Sequence, residues 1–170
     1  MEGIRLSNEE LIMAMCRYEA GCPKRVQHFM KVYAFSQLIG KAEGIPAPLQ
    51  QILETAAIVH DIGIRPSLKK HGSSAGAYQQ IEGPAEAEKM LEELHYPAQM
   101  IERVSYLVAH HHMYQDIQGL DYQILVEADF LVNMYEDHME ADQIRSVREK
   151  IFRTRTGKQL LDQMFLSQQD

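Results

Sequence analysis

The chain has 170 residues, of which 45% are hydrophobic and 24% are charged, and its formal net charge is −7 at pH 7. This length and composition suit a globular protein, so we expect residues 1–170 to form one domain around one core. The acidic excess argues against nucleic-acid binding, and the absence of an export signal and of an apolar run of ~20 residues predicts a cytoplasmic protein without a membrane span.

Apolar residues recur at three- and four-residue spacing along most of the chain, and no segment alternates with period two, so the sequence predicts an all-α fold. Capping residues, prolines and glycines mark the helix ends. The basic stretch over 145–158 is interleaved with acidic residues and predicts a solvated helix face. We expect a bundle of about seven or eight helices, over 7–18, 24–41, 48–61, 84–94, 97–111, 122–135, 141–153 and 158–165, with Thr156 as a candidate N-cap of the last one.

The segment over 62–83 differs in composition from its surroundings. It is rich in Gly, Ser, Lys and Gln, and Pro84 follows it. We therefore predict one long loop here, with Pro84 opening the next helix. Loops of this length inside compact domains usually have a function.

The end of the predicted third helix carries polar side chains on its apolar face. Leu53, Ala56 and Ala57 form an inward-facing stripe. His60 continues this stripe, and Asp61 follows Ala57 by four residues. Because burial of an unpaired charge costs several kcal/mol, polar residues at such positions indicate a specific role.

Three other predicted helices show the same anomaly. His28 lies on the apolar face of the second helix, one turn before Val32, and Asp129 follows Leu125 by four residues on a later apolar face. His111 ends the apolar stripe of the helix between them. One such residue is more often a hydrogen-bonded core histidine or a helix cap. Two imidazoles and two carboxylates together, with no Lys or Arg on those faces, favour a divalent-metal site.

These residues form a recognisable series along the chain. His28 is followed by the doublet His60-Asp61 in the context Ile-Val-His-Asp-Ile-Gly, then by a histidine-rich helix end at 110–112, then by Asp129. The series resembles the H…HD…D signature of the HD-domain superfamily of metal-dependent phosphohydrolases, over a motif-bearing core of about 24–136, with the spacing of small stand-alone bacterial members. The resemblance implies an all-helical HD-type bundle in which one divalent metal ion is ligated by His28, His60, Asp61 and Asp129.

The predicted ligand set also limits the metal. Mixed imidazole and carboxylate ligands suit Mn²⁺, Fe²⁺, Co²⁺ or Ni²⁺ better than Mg²⁺, which prefers oxygen ligands. Gln79 stands where many dinuclear members of the superfamily carry a histidine. The resemblance therefore predicts one metal ion and gives no support to a second one held in the usual way.

The implied activity is cleavage of a phosphomonoester or nucleotide phosphate bond by a metal-activated water. Asp61 and His111 are the expected catalytic groups, and His111 is favoured on helical phase as the histidine of its run that faces the site. Glu82 is either a general acid/base or a carboxylate that only stabilises a helix start. Together with His110, the polar side chains of the predicted loop are expected to bind the substrate, namely Arg65, Lys69, Lys70, Ser73 and Ser74.

Two other functions fit the same residues. One is a metal- or nucleotide-binding module without catalysis, which the near-complete ligand set argues against. The other is a metal-dependent oxygenase, which the glutamine at position 79 disfavours because that chemistry needs two metal ions. The expected partner is a small phosphate ester or nucleotide, and homo-oligomerisation is left open.

Overall fold

The computed structural model describes residues 6–168, and each regular element in that range is helical. The predicted all-α fold is confirmed. Residues 1–5 and 169–170 lie outside the described range. The elements are α1 (Asn8–Tyr18), α2 (Pro23–Glu43), α3 (Ala47–Val59), α4 (Ile64–His71), α5 (Gly76–Glu93), α6 (Ala98–His110), α7 (Leu120–Glu136), α8 (Ala141–Lys150), α9 (Arg155–Leu161) and a one-turn π-helix, π1 (Asp162–Leu166).

The predicted loop over 62–83 is wrong, because α4 and the first half of α5 occupy most of it. Pro66 lies in the first turn of α4, where its missing N–H would have no intrahelical partner in any case. Gly72 ends this helix in the left-handed conformation, with φ of 67°. The glycine and proline that suggested a loop are thus the end signals of one short helix.

Pro84 lies inside α5 rather than at its start. An interior proline costs a helix about 3 kcal/mol, so tertiary packing must offset it. The packing here is unusually close: a Cβ added to Gly63 would lie 2.9 Å from the Gly83 backbone. Glycine at both positions therefore lets α5 approach the chain directly after the His60-Asp61 doublet.

The start of α9 also differs from the prediction. The N-cap is Thr154, whose Oγ accepts a hydrogen bond from Gly157 N at 2.9 Å. The prediction of Thr156 as the cap is wrong because Thr154 is held by a buried partner, donating through the same hydroxyl to Glu127 at 2.7 Å. A carboxylate of α7 thereby anchors the chain at the start of α9.

Four helices surround the site described below. Helix α7 is the most buried element; it packs against α2 and α3, while α6 packs against α3 and α5. Leucine, isoleucine, valine and alanine side chains of these helices dominate the core. This packing brings together one end of α2, the end of α3, the middle of α7 and the end of α6. None of the helices in the described part of the chain is both long enough and apolar enough to cross a membrane.

Candidate metal centre

Three chain segments bring two histidines and two aspartates to one point. His28 lies in the second turn of α2, His60 and Asp61 directly follow α3, and Asp129 lies in the middle of α7. The His28 Nε2 atom is 3.2 Å from His60 Nε2, 3.1 Å from Asp129 Oδ1 and 3.2 Å from Asp61 Oδ2. The His60 Nε2 atom is 3.3 Å from Asp61 Oδ2 and 3.5 Å from Asp129 Oδ1.

These separations suit a shared metal ion. Two ligand atoms each ~2.1 Å from a metal lie about 3.0 Å apart at an octahedral angle and about 3.4 Å apart at a tetrahedral one. The histidine–carboxylate separations here span 3.1 to 3.5 Å. His28, His60 and Asp129 satisfy this proximity with all three side chains buried. The donor atoms of His28, His60 and Asp129 therefore lie at separations that a shared divalent ion requires, and Asp61 Oδ2 lies within 3.3 Å of both imidazoles.

Hydrogen bonds on the far side of each imidazole set its orientation. His60 Nδ1 donates to the Ala57 carbonyl at 2.7 Å, and His28 Nδ1 pairs with Glu136 Oε1 at 2.9 Å. In the neutral tautomers that these bonds select, both Nε2 atoms are acceptors. They face each other and two carboxylates, so the cluster contains only acceptors and needs a cation.

When no metal ion is bound, protons on the imidazoles supply the positive charge that the cluster needs. Burial opposes protonation of His28, but hydrogen bonds with Asp129 and Asp61 outweigh it and raise the pKa of His28 to about 10. Burial also opposes protonation of His60, and the charge of Asp61 outweighs it, so the pKa of His60 lies well above its usual value. Burial would raise the pKa of Asp61, but the charge of His60 lowers it well below its usual value. The site thus favours positive charge between negatively charged carboxylates.

His111 approaches the same point from α6. Its Nδ1 atom donates to the Val108 carbonyl at 2.9 Å, and its Nε2 atom lies 3.3 Å from Asp61 Oδ1. That Nε2 atom is buried and has no hydrogen-bond partner in the described structure. His60, Asp61 and His111 therefore form a second group whose ligand atoms could hold a cation, and the histidine favoured by helical phase does lie at the site.

The neighbouring histidines differ in where they lie. His110 donates to the Tyr106 carbonyl at 2.7 Å and stacks on the Tyr106 ring, away from the cluster. His112 reaches the cluster, with its Nε2 atom 3.3 Å from Gln79 Oε1. Burial lowers the pKa of His112 to about 4, so this imidazole is neutral at physiological pH. Gln79 also donates to the Ser74 carbonyl at 2.8 Å.

A cavity of about 490 Å³ opens beside the metal donors. Asp61 and Asp129 line one part of it, and the rings of Tyr114 and Phe130 line another with their centroids 5.0 Å apart. Its polar lining includes Asn133 on α7. A molecule that reaches the predicted ligands would therefore contact both aromatic and polar side chains.

Most of the side chains predicted to bind substrate lie elsewhere. The Arg65 guanidinium donates to the Tyr18 carbonyl, and the Lys70 ammonium pairs with Glu82. Glu82 also pairs with His71, at 3.1 Å. Hydrogen bonds from Lys70 and His71 lower the pKa of Glu82, which opposes a role as general acid. The structure thus places Arg65, Lys70 and Glu82 outside the cavity lining.

The remaining predicted substrate contacts divide in the same way. Lys69 is exposed on α4, and Ser73 accepts a hydrogen bond from Ala75 N at 3.2 Å; neither lines the cavity. Ser74 does line it. Arg65, Lys69 and Lys70 lie outside the cavity lining because they belong to helix α4, whereas a flexible loop could have turned back toward the doublet.

Sequence reasoning missed several side chains at the cavity. Lys24 and Arg25, at the start of α2, both line it, and Glu136 contacts His28 from α7. The sequence contained a signal for Lys24 and Arg25, because they precede His28 by four and three residues and so share its helix face. For Glu136, the signal was a position seven residues after Asp129 on the same helix.

The chain was compared with known proteins. Residues 25–156 match the family model described as the HD domain, which extends past the motif-bearing core predicted at 24–136. A crystal structure of a predicted HD superfamily hydrolase from an uncultured Thermotogales bacterium has a similar fold, with a TM-score of 0.66 and 20% sequence identity over 93% of this chain and 84% of that chain. No curated protein matches. Because the family model covers well over half of the sequence, the chain belongs to the HD-domain family.

Proposed function

We propose that this protein is a metal-dependent phosphohydrolase that cleaves a phosphomonoester or a nucleotide phosphate bond. The observation that carries the proposal is the all-acceptor cluster of His28, His60, Asp61 and Asp129 at the edge of a cavity. Members of the HD-domain family are generally metal-dependent hydrolases, which agrees with this chemistry.

The four side chains would hold one divalent transition metal ion, Mn²⁺, Fe²⁺, Co²⁺ or Ni²⁺, because two imidazoles and two carboxylates match the preferences of these ions. When bound, such an ion lowers the pKa of a coordinated water and polarises a phosphoryl oxygen. Four protein ligands leave open positions on a six-coordinate ion, so the residues present fit the group.

Asp61 lies between the cavity and His111. Its side chain is 19% exposed, whereas that of His60 is fully buried. On its inner side, Asp61 Oδ1 lies 3.3 Å from His111 Nε2, which has no hydrogen-bond partner in the described structure and is an acceptor in the tautomer that donates to Val108. His111 is therefore positioned to take up a proton released beside Asp61, while Asp61 stays ionised as a ligand.

The cavity suits a phosphate ester with a substantial organic group. A volume of about 490 Å³ exceeds what a phosphate ion alone would fill. Tyr114 and Phe130 offer apolar and aromatic surface to such a group, and Ser74 and Asn133 offer polar contacts. A nucleotide and a simple aryl or sugar phosphate both fit this description.

The test is a screen of phosphomonoesters and nucleotides with the purified protein, after metal removal and reloading with Mn²⁺, Co²⁺ or Ni²⁺. We expect phosphate release that needs one of these ions and is lost in Asp129→Asn. Asp142→Asn is the matched control, because Asp142 is an almost fully exposed carboxylate on α8. Bound metal without turnover on any phosphate ester would favour the binding-module alternative instead.

A further inference from the structure

We infer that Lys24 and Arg25 form a phosphate-binding subsite at the start of α2, which holds the phosphoryl group of the substrate next to the metal donors. This inference rests on the proposed function and deepens it. Both residues line the cavity that contains Asp61 and Asp129. The ligand class is a phosphate group carrying one or two negative charges.

The helix geometry aims both cations at the site. Lys24 precedes His28 by four residues and Arg25 precedes it by three, so all three side chains project from one face of α2. His28 is a predicted ligand, and its Nε2 atom lies 3.1 Å from Asp129 Oδ1. A phosphoryl group that contacts a metal ion in this cluster would therefore lie within one helical turn of two cations.

Arg25 is held in position by a buried carboxylate. Its Nε atom donates to Glu19 Oε2 at 2.6 Å, and Glu19 is only 2% exposed. The two Nη groups of Arg25 make no hydrogen bond to the residues that the structure describes. A guanidinium fixed through Nε keeps its outer N–H donors for an oxyanion, the geometry in which arginine binds phosphate best. Glu19 is thus a positioning residue for Arg25.

Lys24 differs from Arg25 in being exposed and without a carboxylate partner in the range 6–168. Its flexible ammonium group can therefore act as a point charge for the same oxyanion. Among the residues that the structure describes, no other Lys or Arg lines this cavity. The other candidate cations are committed elsewhere: the Arg65 guanidinium contacts the Tyr18 carbonyl, and Lys70 pairs with Glu82.

Acidic side chains outnumber basic ones in the lining of the cavity, so an anionic ligand needs cations within it. Asp61, Asp129 and Asp137 all line it, and Glu136 does so beside His28. A divalent ion offsets two of these carboxylates and leaves the lining acidic, which would repel a phosphate. Arg25 is paired with Glu19 and Glu136 with Lys31, so Lys24 and the outer N–H groups of Arg25 supply the local positive charge for an anionic group at the end of the cavity where they lie.

The experiment compares Arg25→Gln, Lys24→Gln and Glu19→Gln with the unchanged protein in the metal-loaded state. Steady-state kinetics on the best phosphate ester give kcat and KM, and calorimetry gives the affinity for inorganic phosphate. Each of the first two variants removes one charged contact, so KM and the Kd of phosphate should rise about ten- to a hundredfold, with metal content unchanged. Glu19→Gln should raise KM in the same direction, and Arg25→Lys should recover part of the loss.

Arg17→Gln serves as the control, because Arg17 is an exposed arginine on α1 away from the cavity lining. Circular dichroism checks the fold of each variant, and Lys24→Gln remains a fair test if the unpaired Glu19 destabilises Arg25→Gln. Metal-dependent turnover with unchanged KM and phosphate affinity in Arg25→Gln and Lys24→Gln would overturn the subsite and leave the proposed function intact. If the unchanged protein hydrolyses no phosphate ester, the proposed function fails, and phosphate affinity alone decides the subsite: loss in both variants supports it, and no binding or no loss overturns it.

Discussion

Two groups of charged residues lie on either side of the chain around the His60-Asp61 doublet, one buried and one at the surface, and their environments are opposite. The first is the buried cluster around His60, in which each imidazole is oriented by a hydrogen bond on its far side. The second is the surface group on α4 and α5, where Lys70 and His71 pair with Glu82. Lys70 is 60% exposed, whereas His60 is fully buried.

This comparison shows that helical phase, rather than distance along the chain, determines which charged side chains lie at the site. Asp129 lies 101 residues from His28 and contacts it at 3.1 Å. Arg65 lies four residues from Asp61 and turns toward the end of α1. A polar residue on an apolar face must find a buried partner, but a polar residue in a polar segment can simply face water.

The largest effect is expected from breaking the buried cluster. Replacing His60 or Asp61 by Ala should abolish stoichiometric metal binding, because each change removes a ligand from a buried site and leaves the other charges unbalanced. The thermal gain on adding metal should disappear as well. Elemental analysis and thermal unfolding measure both effects.

His110→Ala is the matched control for this change, because His110 neighbours His111 in sequence but faces Tyr106. It should keep its metal. Retention of a full equivalent of metal by His60→Ala or Asp61→Ala would show that the coordination proposed here is wrong.

A smaller effect is expected at Glu136, which contacts the predicted ligand His28 rather than the metal ion itself. Glu136 contacts His28 Nδ1 at 2.9 Å and Lys31 at 3.1 Å. Glu136→Gln should lower metal affinity by about ten- to a hundredfold while leaving the ligands in place, since outer partners orient ligating imidazoles. Competition with a chelator measures the affinity. Lys31→Gln removes only the ion pair between Lys31 and Glu136. An equal loss of metal affinity in that variant would assign the effect to this ion pair rather than to the contact with His28.

The stability of the metal-free protein should depend on pH in a defined direction. The folded-state pKa of His28 is about 10, above its ordinary value of 6.5. Its stabilising contribution is therefore fully present below that ordinary value and is lost as pH rises toward the folded value. The metal-loaded protein should lose less stability over the same range, since its imidazoles are already deprotonated.

Thermal unfolding at several pH values between about 7 and 9 compares the two forms. The midpoint of the metal-free protein should fall with pH, and the gap to the metal-loaded protein should widen by several degrees. Parallel pH profiles for the two forms would contradict the protonated state proposed for the empty cluster.

The smallest effect is expected on α4. Arg65→Ala and Lys70→Gln should change kcat/KM by less than about threefold and leave metal content unaltered, because exposed charges outside the cavity contribute little. Steady-state kinetics on the best substrate measure this. A decrease in kcat/KM of tenfold or more in Arg65→Ala would mean that Arg65 contributes to the site and that α4 moves during turnover.

The helical class and the inward-facing polar positions could be predicted from local periodicity, whereas their convergence on one site was implied by the resemblance of their order to the HD-domain signature. His60 and Asp129 stand out because several polar side chains on apolar faces together are harder to explain as core or capping residues than one alone. The structure of 62–83 could not be predicted in the same way: Gly72 and Pro84 are loop signals locally, and only the close contact of Gly63 with Gly83 explains a helix through Pro84.

The substrate side of the cavity was harder to foresee than the metal side. Lys24 and Arg25 are polar residues in the first turn of α2, where charged side chains are common. The position of Arg25 depends on Glu19, a buried partner contributed by the turn before α2. Tyr114 lies in the segment between α6 and α7, whose path no periodicity determines.

The most direct test of the account is a titration of metal into the stripped protein while phosphate release from the best ester is followed. Activity should rise with each addition of Mn²⁺, Co²⁺ or Ni²⁺ and level off near one equivalent, and Asp129→Asn should stay inactive throughout. Full hydrolysis by protein in which no metal can be detected would contradict the account, as would a fully loaded protein that releases no phosphate from any ester.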